Sequence, residues 1–187
     1  MINTTILALD NVLASSVMGP ADILCQTGVT YNYIVGEDQA PRFNVNIATK
    51  DGKPACWRDQ PVIYPKTGIR DIDTAQLIIV SSFNDLSTVA TSCESVKWLK
   101  EQYDKGAVIA AICAGTYILA ETGLLDNKEA TTHWGFADDF RERYPDVRLR
   151  QDRIITDEGN LLCSGGCNSY IDLSIYLVEK YCGRQIA

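Results

Sequence analysis

The chain has 187 residues, 46% of them hydrophobic and 22% charged, with a formal net charge of −7. That length suits one domain with its own hydrophobic core, and the acidic balance with 17 dispersed Lys and Arg excludes the concentrated basic surface that direct nucleic-acid contact needs. No apolar run approaches the roughly 20 residues of a membrane span, and the start "MINTTILALDN" has neither a basic segment nor a cleavable apolar core, so a cytoplasmic location with no membrane partner is expected.

The opening run "TTILALDN" is long enough for a buried strand. "SSVMGPADILCQTGV" follows with helical spacing at Ile23, Leu24 and Thr27; Pro20 suits a first turn and Gly28 a C-terminal stop. "YNYIVGE" and "FNVNIATKDG" alternate with period two and read as strands, the second ending in the turn 50–53. "PACWRDQPVIYP" is punctuated by proline and reads as a small edge hairpin. "AQLIIVSSF" carries four consecutive apolar residues, Leu77 to Val80, the mark of a strand buried on both faces.

A helix is predicted from Ser92 to Tyr103, with Ser92 as N-cap, Val96, Leu99 and Tyr103 on one face and Gly106 as the stop. "AVIAAIC" reads as another buried strand and "AGTYILAETG" as a helix ending at Gly123. "WGFADDFRERYP" has Phe136 and Phe140 at i and i+4 and is closed by Pro145. "RIITDEGNLLCSG" predicts a hairpin around residues 157–160, and "CNSYIDLSIYLVEKYCG" a long helix with Ile171, Ile175, Val178 and Cys182 on one side. Strands alternating with helices, the strands continuously apolar, imply a single α/β domain over 1–187 with a mostly parallel sheet covered on both faces.

The seven cysteines stand at 25, 56, 93, 113, 163, 167 and 182, with no CxxC and a single histidine in the chain. Structural zinc wants paired spacings and usually histidines, so no metal site and no cofactor is expected. Most of the thiols read as small hydrophobes of a reducing compartment. The arginines at 141, 143, 148, 150 and 153 read as a solvated face.

Cys113 stands apart because it ends a buried strand and begins a helix. Such a turn pushes a side chain out at the carboxyl end of the sheet, where open α/β folds place ligands. A helix N-terminus also favours an anion and so lowers a thiol pKa. The small neighbours Ala111, Ala114 and Gly115 fit a tight turn, which predicts an unusual backbone conformation at Cys113 and lets the N–H groups of Ala114 and Gly115 form half of an oxyanion hole. The alternative is that Cys113 is one more buried core thiol.

"AAICAG" followed by "ATTHW" resembles the ThiJ/PfpI superfamily, whose fold is flavodoxin-like and similar to the class I glutamine amidotransferases. "MGPADIL", "IIVSSF" and "GNLLCSGGCNSYIDLSIYLVEKYCG" extend the resemblance over nearly the whole chain. It implies a cysteine at a nucleophile elbow, Cys113, with His133 nearby. Family enzymes resembling isocyanide hydratase place an acid four positions before the proline of the first helix, and here that position is Ser16. The protease-like branch has histidine directly after the cysteine, where this chain has Ala114, and no histidine follows His133 to serve as a late His–Glu pair. The family's glycine-bearing oxyanion loop is replaced by Ser81, Ser82, Phe83 and Asn84, of which Ser82 and Asn84 offer hydrogen bonds to a ligand, Phe83 narrows the pocket, and a plain cap on the strand is the alternative. His133 is read either as a base for Cys113 or as a positioned structural residue.

The segment "GLLDNKEATTHWGFADDFRERYPDVRL" resembles two groups, isocyanide hydratases and the N-terminal sensor domain of AraC-type transcriptional regulators. The regulator resemblance implies a ligand-sensing domain, with an unidentified small-molecule effector at Ser16, Ser82, Phe83, Asn84, Cys113, Ala114, Gly115 and His133. It further implies a homodimer and DNA contact only through a helix-turn-helix domain downstream of this chain. The alternative is a stand-alone hydratase or hydrolase using Cys113 as nucleophile.

Overall fold

The computed structural model describes residues 1–187. In chain order the elements are β1 (Ile2–Leu7), α1 (Ser15–Gln26), α2 (Thr30–Ile34), β2 (Phe43–Thr49), β3 (Thr67–Gly68), β4 (Leu77–Val80), α3 (Ser87–Ala90), α4 (Cys93–Asp104), β5 (Val108–Ile112) and α5 (Gly115–Ala120). They continue with β6 (Glu129–Ala130), α6 (Ala137–Arg143), β7 (Arg148–Leu149), β8 (Ile155–Asp157), β9 (Leu161–Ser164) and α7 (Tyr170–Cys182). Seven strands form one sheet in the order β3-β2-β1-β4-β5-β9-β8, parallel throughout except for β8, which pairs antiparallel with β9. β6 and β7 form a separate short parallel pair.

The apolar runs occupy the middle of the sheet because a parallel strand is shielded from water on both faces. All four residues of β4 are buried, and so are Ile109 to Ile112 of β5. Their side chains divide into two cores. Ile78, Val80, Ile109 and Ala111 pack with Leu99 of α4, Tyr117 of α5 and Phe140 of α6, while Leu77, Ile79, Ala110 and Ile112 pack with Leu24 of α1 and Leu177 of α7. The chain builds β2 and β3 to one side of β1, then returns to lay β4, β5 and β9 on the other. The order therefore reverses between β1 and β4, the switch point where open α/β sheets place ligands, and here the loops after β1 and β4 are joined by the antiparallel bridge between Val12 and Phe83. This mostly parallel, helix-covered sheet is the flavodoxin-like architecture that the sequence predicts.

Four local expectations need correction. Residues 30–34 form the short helix α2, not a strand. Tyr31, Tyr33 and Ile34 are 68–73% exposed, so their alternation has no buried face to select an extended register. Pro20 sits inside α1, beyond its first turn; the carbonyl of Ser16, which it leaves without a helical donor, is near the helix start. The proposed hairpin in 54–65 reduces to one antiparallel bridge, Ala55 to Ile63, closed by two hydrogen bonds of 2.9 and 2.8 Å. On α7 the buried face is Leu173, Ser174, Leu177 and Val178, with Ile171 and Ile175 turned outward. The hairpin at 157–160 is present, with Gly159 at φ 82°.

Tight packing joins α1 to α7. A Cβ on Gly19 would lie 2.1 Å from the ring of Tyr170, so only a residue without a side chain lets the two helices meet here.

Candidate functional site

Cys113 has φ 55°, in the left-handed region where a residue with a side chain is strained. The turn is held from three sides. The Cys113 N–H donates to the Ser164 carbonyl at 2.7 Å, the Thr132 hydroxyl donates to the Cys113 carbonyl at 2.9 Å, and α5 starts directly under β4. A Cβ on Gly115 would stand 2.6 Å from the Ser81 carbonyl oxygen and 2.9 Å from that of Val80, so glycine is required for this close approach. The backbone expected at Cys113 is therefore present.

The thiol, by contrast, is not activated. It is 3% exposed, and burial pushes its pKa up to about 11. Hydrogen bonds from the Ser82 hydroxyl and the Ala114 N–H work in the opposite direction without overcoming the loss of solvent, and the neighbouring Cys167 thiol raises the value further. The N-terminus of α5 does not outweigh desolvation at this site.

Ser16 and Ser82 form the wall beside the thiol. The Ser82 N–H donates to the Ser16 hydroxyl oxygen at 2.9 Å, and that hydroxyl donates to the Leu13 carbonyl at 2.7 Å. Both side chains are buried, at 0% and 2% exposure. Ser16, where the family resemblance implies an acid, thus holds a hydroxyl that stitches the loop after β4 to the start of α1. The neighbouring Ser81 hydroxyl accepts from the Leu9 N–H at 3.1 Å. No carboxylate hydrogen-bonds to the Cys113 sulfur.

The other residues singled out in the sequence lie around this point rather than on it. Phe83 is 4% exposed, bridges Val12, and belongs to the core on the α4 side, whereas Cys113 belongs to the core on the α1 and α7 side. Asn84 is exposed. Its amide donates to the Asn11 and Val12 carbonyls at 3.3 and 3.4 Å. The His133 ring accepts from the Gly135 N–H at 3.1 Å and stacks on Trp134 with centroids 5.3 Å apart. It makes no hydrogen bond to Cys113.

One neighbour of the thiol escapes sequence reading. Cys167 follows β9 on the loop into α7 and lies near enough to Cys113 to raise its pKa. The only signal for this proximity is topological, since β9 lies beside β5 with Ile112 opposite Ser164.

A cavity of about 760 Å³ lies elsewhere, along α4, where it is lined by Arg70, Glu94, Lys97, Trp98, Glu101 and Lys105 among others. Its cations already face carboxylates: Arg70 with Glu94, Lys97 with Glu101, and Lys105 with Asp73. Four of the five arginines in the arginine-rich stretch are similarly neutralised. Arg141, Arg143, Arg150 and Arg153 pair with Asp138, Asp139, Glu129 and Asp152. No helix is long and apolar enough to cross a membrane.

A parallel sheet of this order, with a left-handed cysteine between β5 and α5, defines a flavodoxin-like domain of the DJ-1 type. The chain belongs to the DJ-1/PfpI family, whose sequence profile matches residues 5–180. It is 35% identical over 149 residues to the HTH-type transcriptional regulator CdhR of Pseudomonas aeruginosa, a match that covers 79% of this chain and 44% of the regulator. It is 25% identical over 147 residues to the isonitrile hydratase of Pseudomonas putida, covering 79% of this chain and 63% of the hydratase. The crystal structure of an AraC family transcriptional regulator from Pseudomonas putida superposes with a TM-score of 0.79 at 17% identity, over 100% of this chain and 95% of that one, a likeness of fold. The chain thus spans less than half of the regulator and under two thirds of the hydratase. The resemblance to ThiJ/PfpI proteins and to regulators with such a domain is borne out.

Proposed function

We propose that this domain is the ligand-sensing and dimerisation part of an AraC-type helix-turn-helix regulator, with its effector site at the carboxyl ends of β1, β4 and β5 around Cys113. The observation that carries the reading is the state of the thiol: buried, raised to about 11, and flanked by Ser82 and Cys167, with no carboxylate or imidazole to take its proton. A cysteine nucleophile needs such a base or a lowered pKa. The likeness to CdhR, named as a transcriptional regulator, supports the same choice.

In this reading the effector binds among Ser16, Ser82, Cys113, Ala114, Gly115 and His133, with Phe83 and Asn84 supporting the loop behind it. Binding shifts the loops after β1 and β4, which are joined through Ser16 and Ser82, and so changes how two copies present their DNA-binding modules. The domain itself has net charge −7, so DNA contact falls to a separate basic module.

The test is to read the open reading frame past codon 187 and assay its product. A basic helix-turn-helix segment in frame, and a salt-sensitive gel shift on its own promoter DNA, are the expected results. A stop codon directly after Ala187 would overturn the proposal and leave the stand-alone hydratase or hydrolase as the better account.

A further inference from the structure

The short helix α2 buries none of its five residues. Tyr31, Ile34 and Val35 stand three and four positions apart, which puts them on one face of the turn, and they are 68%, 73% and 47% exposed. Tyr33, equally exposed, projects from the flank. A helix this short does not hold itself in water, and α2 draws nothing from the core.

What keeps it in place is its base. The Ala40 N–H donates to the Gly28 carbonyl at 2.8 Å and the Arg42 N–H to the Thr27 carbonyl at 3.2 Å, so residues 28–42 leave the end of α1 and return to it as a closed excursion. The Glu37 N–H donates to the Asn32 carbonyl at 2.8 Å, and the Asn32 side-chain amide donates to the Asp38 carbonyl at 2.9 Å. Gly28, at φ 76°, makes the closure possible, since a Cβ there would lie 2.2 Å from the Ala40 carbonyl oxygen. None of these bonds uses the apolar side chains, so the local fold does not require them.

The charges are ordered along the helix. Arg42 lies beside Gly28, ahead of the first turn, with its Cγ 3.2 Å from where a Cβ on that glycine would be. Glu37 and Asp38 follow the last turn. All three are exposed, and none takes part in an ion pair. The apolar face thus has a free cation at one end and two free carboxylates at the other. Such a strip is complementary to itself when reversed. About a two-fold axis the apolar faces meet in the middle, and each Arg42 comes opposite the acids of the other copy. A chain of net charge −7 repels its own copies, and this strip sets opposite charges across the axis.

We propose that α2 is a self-association surface, through which two copies of this chain pair antiparallel. Tyr31, Ile34 and Val35 pack on their equivalents, and Arg42 faces Glu37 and Asp38 of the second copy. Three side chains of this size cover on the order of 400 Å² per copy, below the roughly 800 Å² of a standard interface, so the dimer exchanges with monomer in the micromolar range. The inference deepens the dimerisation half of the regulator reading and rests on that half alone. α2 shares no residue with the effector site around Cys113.

The test is sedimentation velocity of the 187-residue chain, with dithiothreitol present to keep the exposed cysteines from cross-linking, from about 1 to about 300 µM. The expected result is a sedimentation coefficient that climbs from monomer towards dimer over this range. Ile34→Glu should weaken the pairing at least about tenfold. Arg42→Glu should weaken it too, and Arg42→Glu combined with Glu37→Arg and Asp38→Arg should restore it. A native chain that stays monomeric throughout would overturn the proposal, as would a dimer indifferent to Ile34→Glu, or a triple variant no tighter than Arg42→Glu. Circular dichroism checks each variant; should Ile34→Glu differ from the native chain, Val35→Lys takes its place, and pairing unchanged in that variant also refutes the surface. A dimer indifferent to these changes, beside an intact gel shift, leaves the regulator reading standing. A missing helix-turn-helix segment, beside a dimer lost in Ile34→Glu, does the reverse.

Discussion

The N–H of Ser82 donates to the hydroxyl oxygen of Ser16 across 66 residues of sequence, at 2.9 Å, with both side chains buried. This bond fixes the loop after β4 against the first turn of α1. Ser16→Ala would leave the Ser82 N–H without its partner in a dry site, which costs about 1–3 kcal/mol. Urea unfolding should show a lower midpoint with an unchanged slope. An unchanged midpoint would mean that the bond is not a structural tie.

Gly115→Ala should be the more damaging change at the elbow. The added methyl meets the carbonyl oxygens of Ser81 and Val80, at 2.6 and 2.9 Å, and neither can move without shifting the end of the central strand β4. A loss of about 1–3 kcal/mol is expected from overpacking of this kind. Thermal unfolding measures it, and a gain in melting temperature would show that the approach of α5 to β4 is looser than described.

The two buried thiols predict a pH dependence of stability. Burial raises Cys113 to about 11 and Cys163 to about 12, from an ordinary thiol value of 9.0. Between pH 9 and these values the unfolded chain has lost both protons while the folded chain keeps them. Their contribution is thus complete below pH 9 and is lost as pH rises through 11 and 12. The melting temperature of the native domain should fall over this window, and less steeply in Cys113→Ala. Equal slopes would contradict the burial of the Cys113 thiol. Iodoacetamide should correspondingly label the exposed cysteines well before Cys113.

Gly19 and Tyr170 should behave as a coupled pair. Gly19→Ala alone drives a methyl into the Tyr170 ring, and Tyr170→Ala alone empties that space. In the double variant the methyl occupies room that the ring has left, so the two losses should not add, with an interaction energy of about 0.5–3 kcal/mol in a double-mutant cycle. Additive losses would show that the α1–α7 contact does not pass through this pair.

Much of this fold is legible in the sequence because a parallel sheet writes its strands as continuous apolar runs. Leu77–Val80 and Val108–Ile112 need no context to be recognised, and Gly28, Gly106, Gly123 and Gly159 all stand at positive φ where the chain turns. The alternation of Tyr31, Tyr33 and Val35 misleads, because period two indicates a strand only when one face is buried, and here neither is. The site is legible at Cys113, whose small neighbours require the tight turn. It is not legible at Cys167, since that proximity depends on β9 lying next to β5. Nor can sequence tell that Ser82 and Asn84 are engaged with the loop after β1, or that burial outweighs a helix N-terminus at the thiol.

The central claim is that Cys113 marks a binding site and carries no hydrolytic or hydratase chemistry. The direct measurement is to incubate the purified domain and its Cys113→Ser variant with an alkyl isonitrile at neutral pH and quantify the N-substituted formamide formed. Equal, buffer-level product from both proteins is the predicted result. Formamide well above the buffer rate with the native domain, lost in Cys113→Ser, would contradict it and make the chain an enzyme.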